Sequence, residues 1–163
     1  MSFIFRETTA EDKTYIYRLN YLADVFGDET KNPDSQEFLE ATRVYVDEWD
    51  AERGGVLVID EDLKNPAGGA WLVYGTDDSH GEGYVAEGIP EVAIAVESRY
   101  RGSGLGTELL KKSAELARDR GAKQLSLCVH DDNPRARALY ERLGFKTVKV
   151  KDNPYTVMVL DLT

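Results

Sequence analysis

The sequence predicts an α/β (α+β) fold in which a central sheet is flanked by helices. Segments with strand-like alternation and segments with apolar residues at helical spacing follow one another along the chain. The length of 163 residues suits one domain with a substantial core, so residues 1–163 are assigned to a single domain. The composition, 42% hydrophobic and 31% charged, is that of an ordinary globular protein.

The first half of the chain predicts strands and helices in mixed order. Ser35 is suited to cap the second helix, and Gly54 follows its predicted end. A polar, glycine-bearing loop over 76–90 precedes a buried strand. The predicted elements are a strand over 3–9, helices over 11–26 and 35–54, a strand pair over 54–61 and 68–76, and a strand over 91–96.

The second half predicts two helices and three strands. Gly121 ends an amphipathic helix, and Pro134 occupies the first position of a shorter one that Gly144 follows. The last two strands are expected to form a hairpin. The predicted elements are a helix over 104–120, a strand over 123–130, a helix over 133–144, and strands over 145–150 and 155–162.

Charge and cysteine usage limit the classes of partner. Lys and Arg total 20 against 30 Asp and Glu, a formal net charge of -10, which disfavours nucleic acid and anionic membranes as partners. The lone Cys128 excludes an intrachain disulfide and suits a reducing, cytoplasmic compartment. It alternates with apolar strand residues, so we interpret it as a packed side chain. His80 and His130 have no second ligand at metal spacing, so no metal is expected.

Three alternating glycines, in "ESRYRGSGLGTELLKK", precede the predicted helix over 104–120. The first amides of a helix lack intrahelical partners and carry the positive end of its dipole. Gly102, Gly104 and Gly106 let an anion approach them without clashes at Cβ. The alternative is a flexible turn before a surface helix. Neither the Walker loop nor the dinucleotide fingerprint fits the spacing.

The segment "RYRGSGLG" resembles the R/Q-x-x-G-x-G/A motif of the GNAT N-acetyltransferases. It fits in two registers, beginning at Arg99 or at Arg101. "PEVAIAV" is similar to the strand before that motif, and "NPRARALYERLGF" is similar to a segment after it, so the resemblance covers about residues 91–146. It implies a mixed, mostly antiparallel sheet and acetyl-CoA as acyl-donor cosubstrate.

The resemblance implies a set of residues that bind acetyl-CoA. The strand before the motif would pair with the pantetheine arm through its backbone, and the glycine loop would hold the pyrophosphate. Asn133 has two interpretations, as N-cap of the helix that follows and as a cofactor ligand; both are compatible. The implied binding residues are Ile94, Ala95, Val96, Arg101, Gly102, Ser103, Gly104, Leu105, Gly106, Thr107 and Asn133.

Two residues match the family's catalytic positions. Glu91 begins the strand before the motif, where many relatives have a general base; the alternative is a solvated glutamate at a strand end, and Glu87 is the second candidate. Tyr140 matches the tyrosine that protonates the CoA thiolate, although its place in an apolar stripe is also typical of a core residue. A phenol with a pKa near ~10 can supply a proton to a thiolate whose thiol has a pKa near ~8.5.

The predicted function is acetyl-CoA-dependent N-acetylation, with direct transfer to a primary amine of a small molecule or peptide. The alternative is a catalytically inactive CoA-binding sensor or interaction domain of the same fold. A third interpretation is transfer to a hydroxyl, or of a longer acyl group. Many members of the family are dimers, so a homodimer is also an expectation.

Overall fold

The computed structural model describes residues 2–151 and 153–163, and over these residues the chain forms seven strands and four α-helices. The strands are β1 (Phe3–Glu7), β2 (Gly55–Asp60), β3 (Asn65–Val73), β4 (Glu91–Val96), β5 (Gln124–His130), β6 (Lys146–Val150) and β7 (Tyr155–Asp161). The helices are α1 (Lys13–Asp24), α2 (Gln36–Thr42), α3 (Leu105–Asp119) and α4 (Pro134–Arg142).

All seven strands lie in one sheet with the order β1-β2-β3-β4-β5-β7-β6. Every neighbouring pair is antiparallel except β4 and β5, which are parallel. The last two strands form the expected antiparallel pair. The predicted mixed, mostly antiparallel sheet flanked by helices is therefore confirmed.

The two parallel strands at the centre of the sheet separate almost at once. β3 and β4 pair over six residues of each strand, but β4 and β5 share one registered pair, Glu91 with Ser126. The amide of Ser126 donates to the carbonyl of Pro90 at 2.9 Å, next to that pair. Beyond this pair the two strands separate toward their C-terminal ends, and a cleft opens between them. The helices α3 and α4 begin at that end.

The two faces of the sheet are covered by different helices, since side chains alternate between faces along each strand. The first core cluster packs against α3 and α4, and its members include Val56, Leu72, Val92, Leu109, Leu127 and Met158. The second packs against α1 and the segment after α2, and its members include Leu19, Val46, Leu57, Trp71 and Ala95. Glu91 shares the face of Ala95 because the two lie an even number of residues apart.

The predicted N-caps are observed. Ser35 Oγ accepts a hydrogen bond from the amide of Phe38 at 3.1 Å, at the start of α2. Asn133 Oδ1 accepts one from the amide of Ala136 at 3.2 Å, with Pro134 at the first position of α4. Each side chain satisfies an amide that the helix itself leaves without a partner.

Two predicted helices end earlier than expected. The helix predicted over 11–26 stops at Asp24, because Gly27 adopts a left-handed φ of 80° and its amide turns back to the carbonyl of Leu22. The helix predicted over 35–54 stops at Thr42 and continues as a π-helical segment over Arg43–Asp47.

The chain after that π-helical segment turns instead of continuing as a helix. Asp50 Oδ1 accepts hydrogen bonds from the amides of Glu52 and Arg53, which offers those amides an alternative to helical bonding. No helix in the described parts of the chain is long and apolar enough to cross a membrane.

The core side of α3 should dominate the stability of the domain. Leu109 is fully buried, whereas Leu39 on α2 is 55% exposed. We expect Leu109→Ala to lower the free energy of unfolding by about 3 kcal/mol, because it removes buried methyl groups and leaves a cavity. The same substitution at Leu39 should change it by less than about 0.5 kcal/mol. Urea unfolding of both variants checks this, and equal losses would contradict the assignment of α3 to the core.

Candidate functional site

The glycine loop connects β4 to α3 at the open end of the cleft. Gly102 and Gly104 have left-handed φ values of 78° and 77°, which non-glycine residues adopt only under strain. A Cβ atom built on either glycine would meet nothing within 4 Å. The backbone conformation thus explains the need for glycine, and the surroundings leave room for a ligand beside the loop.

Several amides at the start of α3 have no backbone partner. The amide of Glu108 donates to the carbonyl of Gly104 at 3.3 Å. The amides of Leu105, Gly106 and Thr107, which come before it, make no hydrogen bond to other residues that the structure describes. Together with the positive end of the helix dipole, these amides form a site suited to an anion. Ser103 is exposed and Thr107 is half-buried next to them.

The loop is anchored from behind by Tyr100. Its hydroxyl donates to Asp60 Oδ2 at 2.6 Å in a buried contact, and its ring packs edge-on against Phe3. Arg99 lies over the Tyr100 ring with its Cζ 5.8 Å from the ring centre. Arg101 is exposed and reaches across to the turn after α1, where its Nη2 donates to the carbonyl of Phe26 at 2.7 Å.

The edge of β4 that faces the cleft carries unpaired backbone groups. The amide of Glu97 donates to Ala67 on the β3 side at 2.8 Å, whereas the carbonyl of Pro90 accepts from β5. Because backbone groups alternate between the two sides of a strand, those of Ile94 and Val96 face the cleft. Those of Ala95 face β3, where Ala95 pairs with Gly69.

Glu91 lies buried at the point where β4 and β5 separate, and the residue is 3% exposed. The interpretation as a solvated glutamate is therefore wrong, because the fold covers the strand end. Glu91 Oε2 accepts a hydrogen bond from the Tyr45 hydroxyl at 2.6 Å, and the thiol of Cys128 lies 3.8 Å from the same oxygen. Glu91 Oε1 is buried and has no hydrogen-bond partner in the described parts of the chain.

Burial sets the proton affinities of this cluster. Burial raises the pKa of Glu91 to about 7, although the hydrogen bond from Tyr45 opposes the rise. Burial raises the pKa values of Tyr45 and Cys128 well above their ordinary values, so both groups are protonated at neutral pH. Glu91 is thus the member of the cluster that can exchange a proton near pH 7.

Tyr140 and Asn133 lie on the β5 side of the cleft. Tyr140 is 8% exposed, and its hydroxyl makes no hydrogen bond within the described chain. Burial, and the proximity of Cys128, raise the pKa of Tyr140 above its ordinary value, so it holds its proton at neutral pH. Tyr140 also belongs to the first core cluster, so its ring packs in the core as well. Asn133 uses Oδ1 as the cap of α4.

Two other residues contrast with the sequence-based expectations. Glu87, the second candidate base, is exposed and lies beside Gly121 and Lys123, away from the Tyr45–Glu91 cluster. Tyr45 is not among the candidate residues that the sequence indicates. Its role could not be found there, because 46 positions separate it from Glu91.

Comparison with known proteins places the chain in a family. A model described as the acetyltransferase (GNAT) family matches residues 19–145, well over half of the chain. The chain belongs to the GNAT family. The matched range contains Glu91, the glycine loop and Tyr140, and it confirms the family predicted from the sequence. It also confirms the predicted class of enzyme, that of the N-acetyltransferases.

Curated relatives match parts of this GNAT chain rather than its full length. Thialysine N-ε-acetyltransferase of Bos taurus is 51% identical over 51 residues, which are 31% of this chain and 30% of that protein. N-α-acetyltransferase 30 of Schizosaccharomyces pombe is 38% identical over 63 residues, which are 39% of this chain and 38% of that protein. The match therefore spans less than half of either relative.

Solved structures share the whole GNAT fold with this chain. PaiA N-acetyltransferase from Thermoplasma acidophilum, in complex with coenzyme A, superposes with a TM-score of 0.66 at 16% identity. The alignment covers 99% of both chains. At this identity the likeness establishes the fold.

Ionisation of Glu91 should lower the stability of the folded protein as the pH rises. The pKa in the folded protein lies above the ordinary value of 4.5, so the folded state binds more protons between these values and loses stability as the pH rises from 4.5 to about 7. Glu91→Gln removes this cost. We expect the variant to gain about 3 kcal/mol relative to the wild type between about pH 4 and pH 8.

The measurement is urea unfolding of both proteins across that pH range. Glu115→Gln, an exposed change of the same kind on α3, serves as the control and should show no such gain. A difference between Glu91→Gln and the wild type that stays constant with pH would contradict a buried, neutral-pH titration of Glu91.

Proposed function

We propose that the protein is an acetyl-CoA-dependent N-acetyltransferase that moves the acetyl group directly to a primary amine. The observation that carries this proposal is the arrangement along one cleft. Free amides of the glycine loop lie at its open end, and the buried Glu91 lies where its two strands meet. The unpaired edge of β4 thus connects a site for an anionic part of a ligand with a proton acceptor.

The residues present fit acetyl-CoA. The amides of Leu105, Gly106 and Thr107 would hold the pyrophosphate, with open space beside Gly102 and Gly104. Since α3 begins at Leu105, the motif register that starts at Arg101 places its glycines at the helix start, and we favour it over the register at Arg99.

The strand edge would hold the pantetheine arm. Ile94 and Val96 would offer it backbone groups. Ala95 would make no hydrogen bond to the arm, because its own backbone groups face β3. The Ser103 and Thr107 hydroxyls and the side-chain amide of Asn133 would be further donors near the helix starts. When bound, acetyl-CoA supplies an activated thioester.

Glu91 would take the proton of the acceptor amine. An alkyl amine with a pKa near ~10.4 is mostly protonated at neutral pH and must lose a proton before it attacks. With its pKa raised to about 7, Glu91 is a much stronger base than an exposed glutamate. Its Oε1, which has no hydrogen-bond partner among the described residues, is the atom we assign to proton acceptance.

Tyr140 would protonate the leaving sulfur. As the amine nitrogen bonds to the acyl carbon, the C–S bond breaks and the sulfur becomes a thiolate that needs a proton. The Tyr140 hydroxyl is protonated and has no protein acceptor among the described residues, so it is free to donate to the sulfur, although burial makes it a weaker acid than an exposed phenol. Cys128, by contrast, is half-buried and protonated, which is unsuited to a nucleophile, and no acyl-enzyme is required.

The curated relatives support an amine as the acceptor. The bovine relative is named for Nε-acetylation of thialysine, and the yeast relative is named for Nα-acetylation. The neighbour from Thermoplasma acidophilum contains coenzyme A, which supports the donor. The cytoplasmic location and the homodimer remain predictions from the sequence.

Binding of the donor is tested by thermal melting with acetyl-CoA, with CoA and with ATP. A ligand at about 100 times its dissociation constant stabilises the folded state by about 2.7 kcal/mol, a rise in Tm of roughly 5–10 °C for this chain length. We expect the rise with acetyl-CoA and CoA but not with ATP. If neither acetyl-CoA nor CoA shifts the Tm, the proposal is contradicted. A shift without acetylation of any amine would favour a CoA-binding module.

The role of Tyr140 is tested by Tyr140→Phe. The variant should lose kcat by roughly 100-fold, since a general acid contributes at least that much, while CoA binding and Tm change little. Tyr74→Phe is the matched control, because Tyr74 is half-buried and its hydroxyl makes no hydrogen bond within the described chain. Equal turnover of the Tyr140→Phe and Tyr74→Phe variants would leave Tyr140 as a core residue only.

A further inference from the structure

Residues 81–83, in the loop that connects β3 to β4, lie directly on the side chain of Glu91. A Cβ atom built on Gly83 would lie 2.8 Å from the carboxyl carbon of Glu91 and 2.7 Å from the backbone of Leu127. A Cβ atom built on Gly81 would lie 2.5 Å from Glu91 Oε1. Because these separations are too short for a real side chain, glycine at both positions allows the backbone to close over the carboxyl group.

Glu82, between the two glycines, holds this segment to other parts of the chain. Its Oε2 accepts hydrogen bonds from Lys151 Nζ at 2.6 Å and from Asn153 Nδ2 at 2.8 Å, and both of these residues lie between β6 and β7. Its carbonyl also accepts from Lys151 Nζ, at 3.3 Å. Its amide donates to the Tyr45 hydroxyl at 2.8 Å, and that hydroxyl donates to Glu91 Oε2. Side chains from two distant parts of the sequence therefore hold the segment in place.

The flanking parts of the loop make contacts of their own. Thr76 and Ser79 exchange backbone hydrogen bonds at 2.8 Å and 3.2 Å. The ring of His80 stacks on the ring of Tyr84, with the ring centres 4.4 Å apart. Because these contacts lie within the loop, they persist when residues 81–83 move away from the sheet.

The closed position of the segment blocks the atom assigned to proton acceptance. Glu91 is 3% exposed, and its Oε1 is buried with no hydrogen-bond partner among the described residues. A group that passes a proton to Oε1 must lie within about 3 Å of it, and the Gly81 backbone occupies that side of the oxygen. A buried oxygen without a partner is costly, and opening of the segment would let water or a ligand supply one.

We propose that residues 81–83 form a lid over Glu91, which Glu82 holds closed through Lys151 and Asn153, and that the lid opens before Glu91 exchanges a proton with a ligand. The role of the opening in proton transfer rests on the proposed acetyl transfer. The lid itself is a property of the protein without ligand, so it is tested without any substrate.

The thiol of Cys128, the only cysteine in the sequence, reports the opening. A Cβ atom built on Gly83 would lie 2.8 Å from the backbone nitrogen of Cys128, and the thiol lies 3.8 Å from Glu91 Oε2. Burial raises the pKa of this thiol well above its ordinary value, so it reacts slowly while the lid is closed. The experiment measures the rate at which iodoacetamide alkylates Cys128 in the folded protein, at constant pH and without ligand.

Lys151→Met removes the ammonium group that bonds to Glu82 and keeps an unbranched side chain. We expect alkylation to become about fivefold faster, the effect of losing one partly exposed, charge-assisted pair. Lys149→Met, the same change on β6, is the matched control. Lys149 is exposed and makes no hydrogen bond or ion pair through its side chain with the described residues, so its variant should react at the wild-type rate.

Hydrogen exchange separates opening of the lid from a general loss of stability. In Lys151→Met the amide of Glu82 should exchange about fivefold faster, whereas the amide of Leu109, within α3, should keep its wild-type rate. Equal alkylation rates in the Lys151→Met and Lys149→Met variants would overturn the lid. Equal acceleration of exchange at Glu82 and Leu109 would also overturn it, because the whole domain would then be unfolding.

Failure of the lid and failure of the proposed function give different results. Selective acceleration of alkylation in Lys151→Met, in a protein whose Tm neither acetyl-CoA nor CoA shifts, would support the lid and overturn acetyl transfer. Acetylation of an amine by a protein whose alkylation rate does not respond to Lys151→Met would overturn the lid and leave acetyl transfer intact.

Discussion

The single registered pair between β4 and β5 is the constraint on which the site depends. Two parallel strands that pair at Glu91 and Ser126 and then separate leave the inner edge of β4 without a partner strand. Unpaired backbone groups are costly unless water or a ligand satisfies them, so the centre of the sheet holds a row of available donors and acceptors. The same divergence places the starts of α3 and α4 on opposite sides of one cleft.

Burial of Glu91 follows from this arrangement and has a cost that the neighbours partly offset. A carboxylate on the face shared with α1 would ionise only with difficulty, which is why its pKa rises. Tyr45 stabilises the ionised form by donating to Oε2, and the indole Nε1 of Trp71 fixes the Tyr45 backbone by donating to its carbonyl at 2.8 Å. The result is a carboxyl group whose pKa lies near neutral pH, so that it is neither fully ionised nor fully neutral there.

What the sequence predicted was local in origin. The glycine loop, the cap at Ser35 and the Asn133–Pro134 start of α4 each depend on neighbouring residues, so spacing alone identified them. The partner of Glu91 was not predictable, because Tyr45 reaches it from a π-helical segment that propensity does not indicate. The burial of Glu91 was not predicted either, because the loop before β4 covers Glu91 only through tertiary packing.

The segment that follows β4 also holds α1 in place. Glu97, directly after β4, accepts hydrogen bonds from Tyr15 and Arg18 of α1, and Arg101 donates to the carbonyl of Phe26 just after α1. Phe26 has a left-handed φ of 52° and packs edge-on against His130 at the end of β5. This turn therefore contacts the end of β5 and the glycine loop that follows β4. An anion at the start of α3 that recruited the Arg101 side chain would have to replace this hydrogen bond to Phe26.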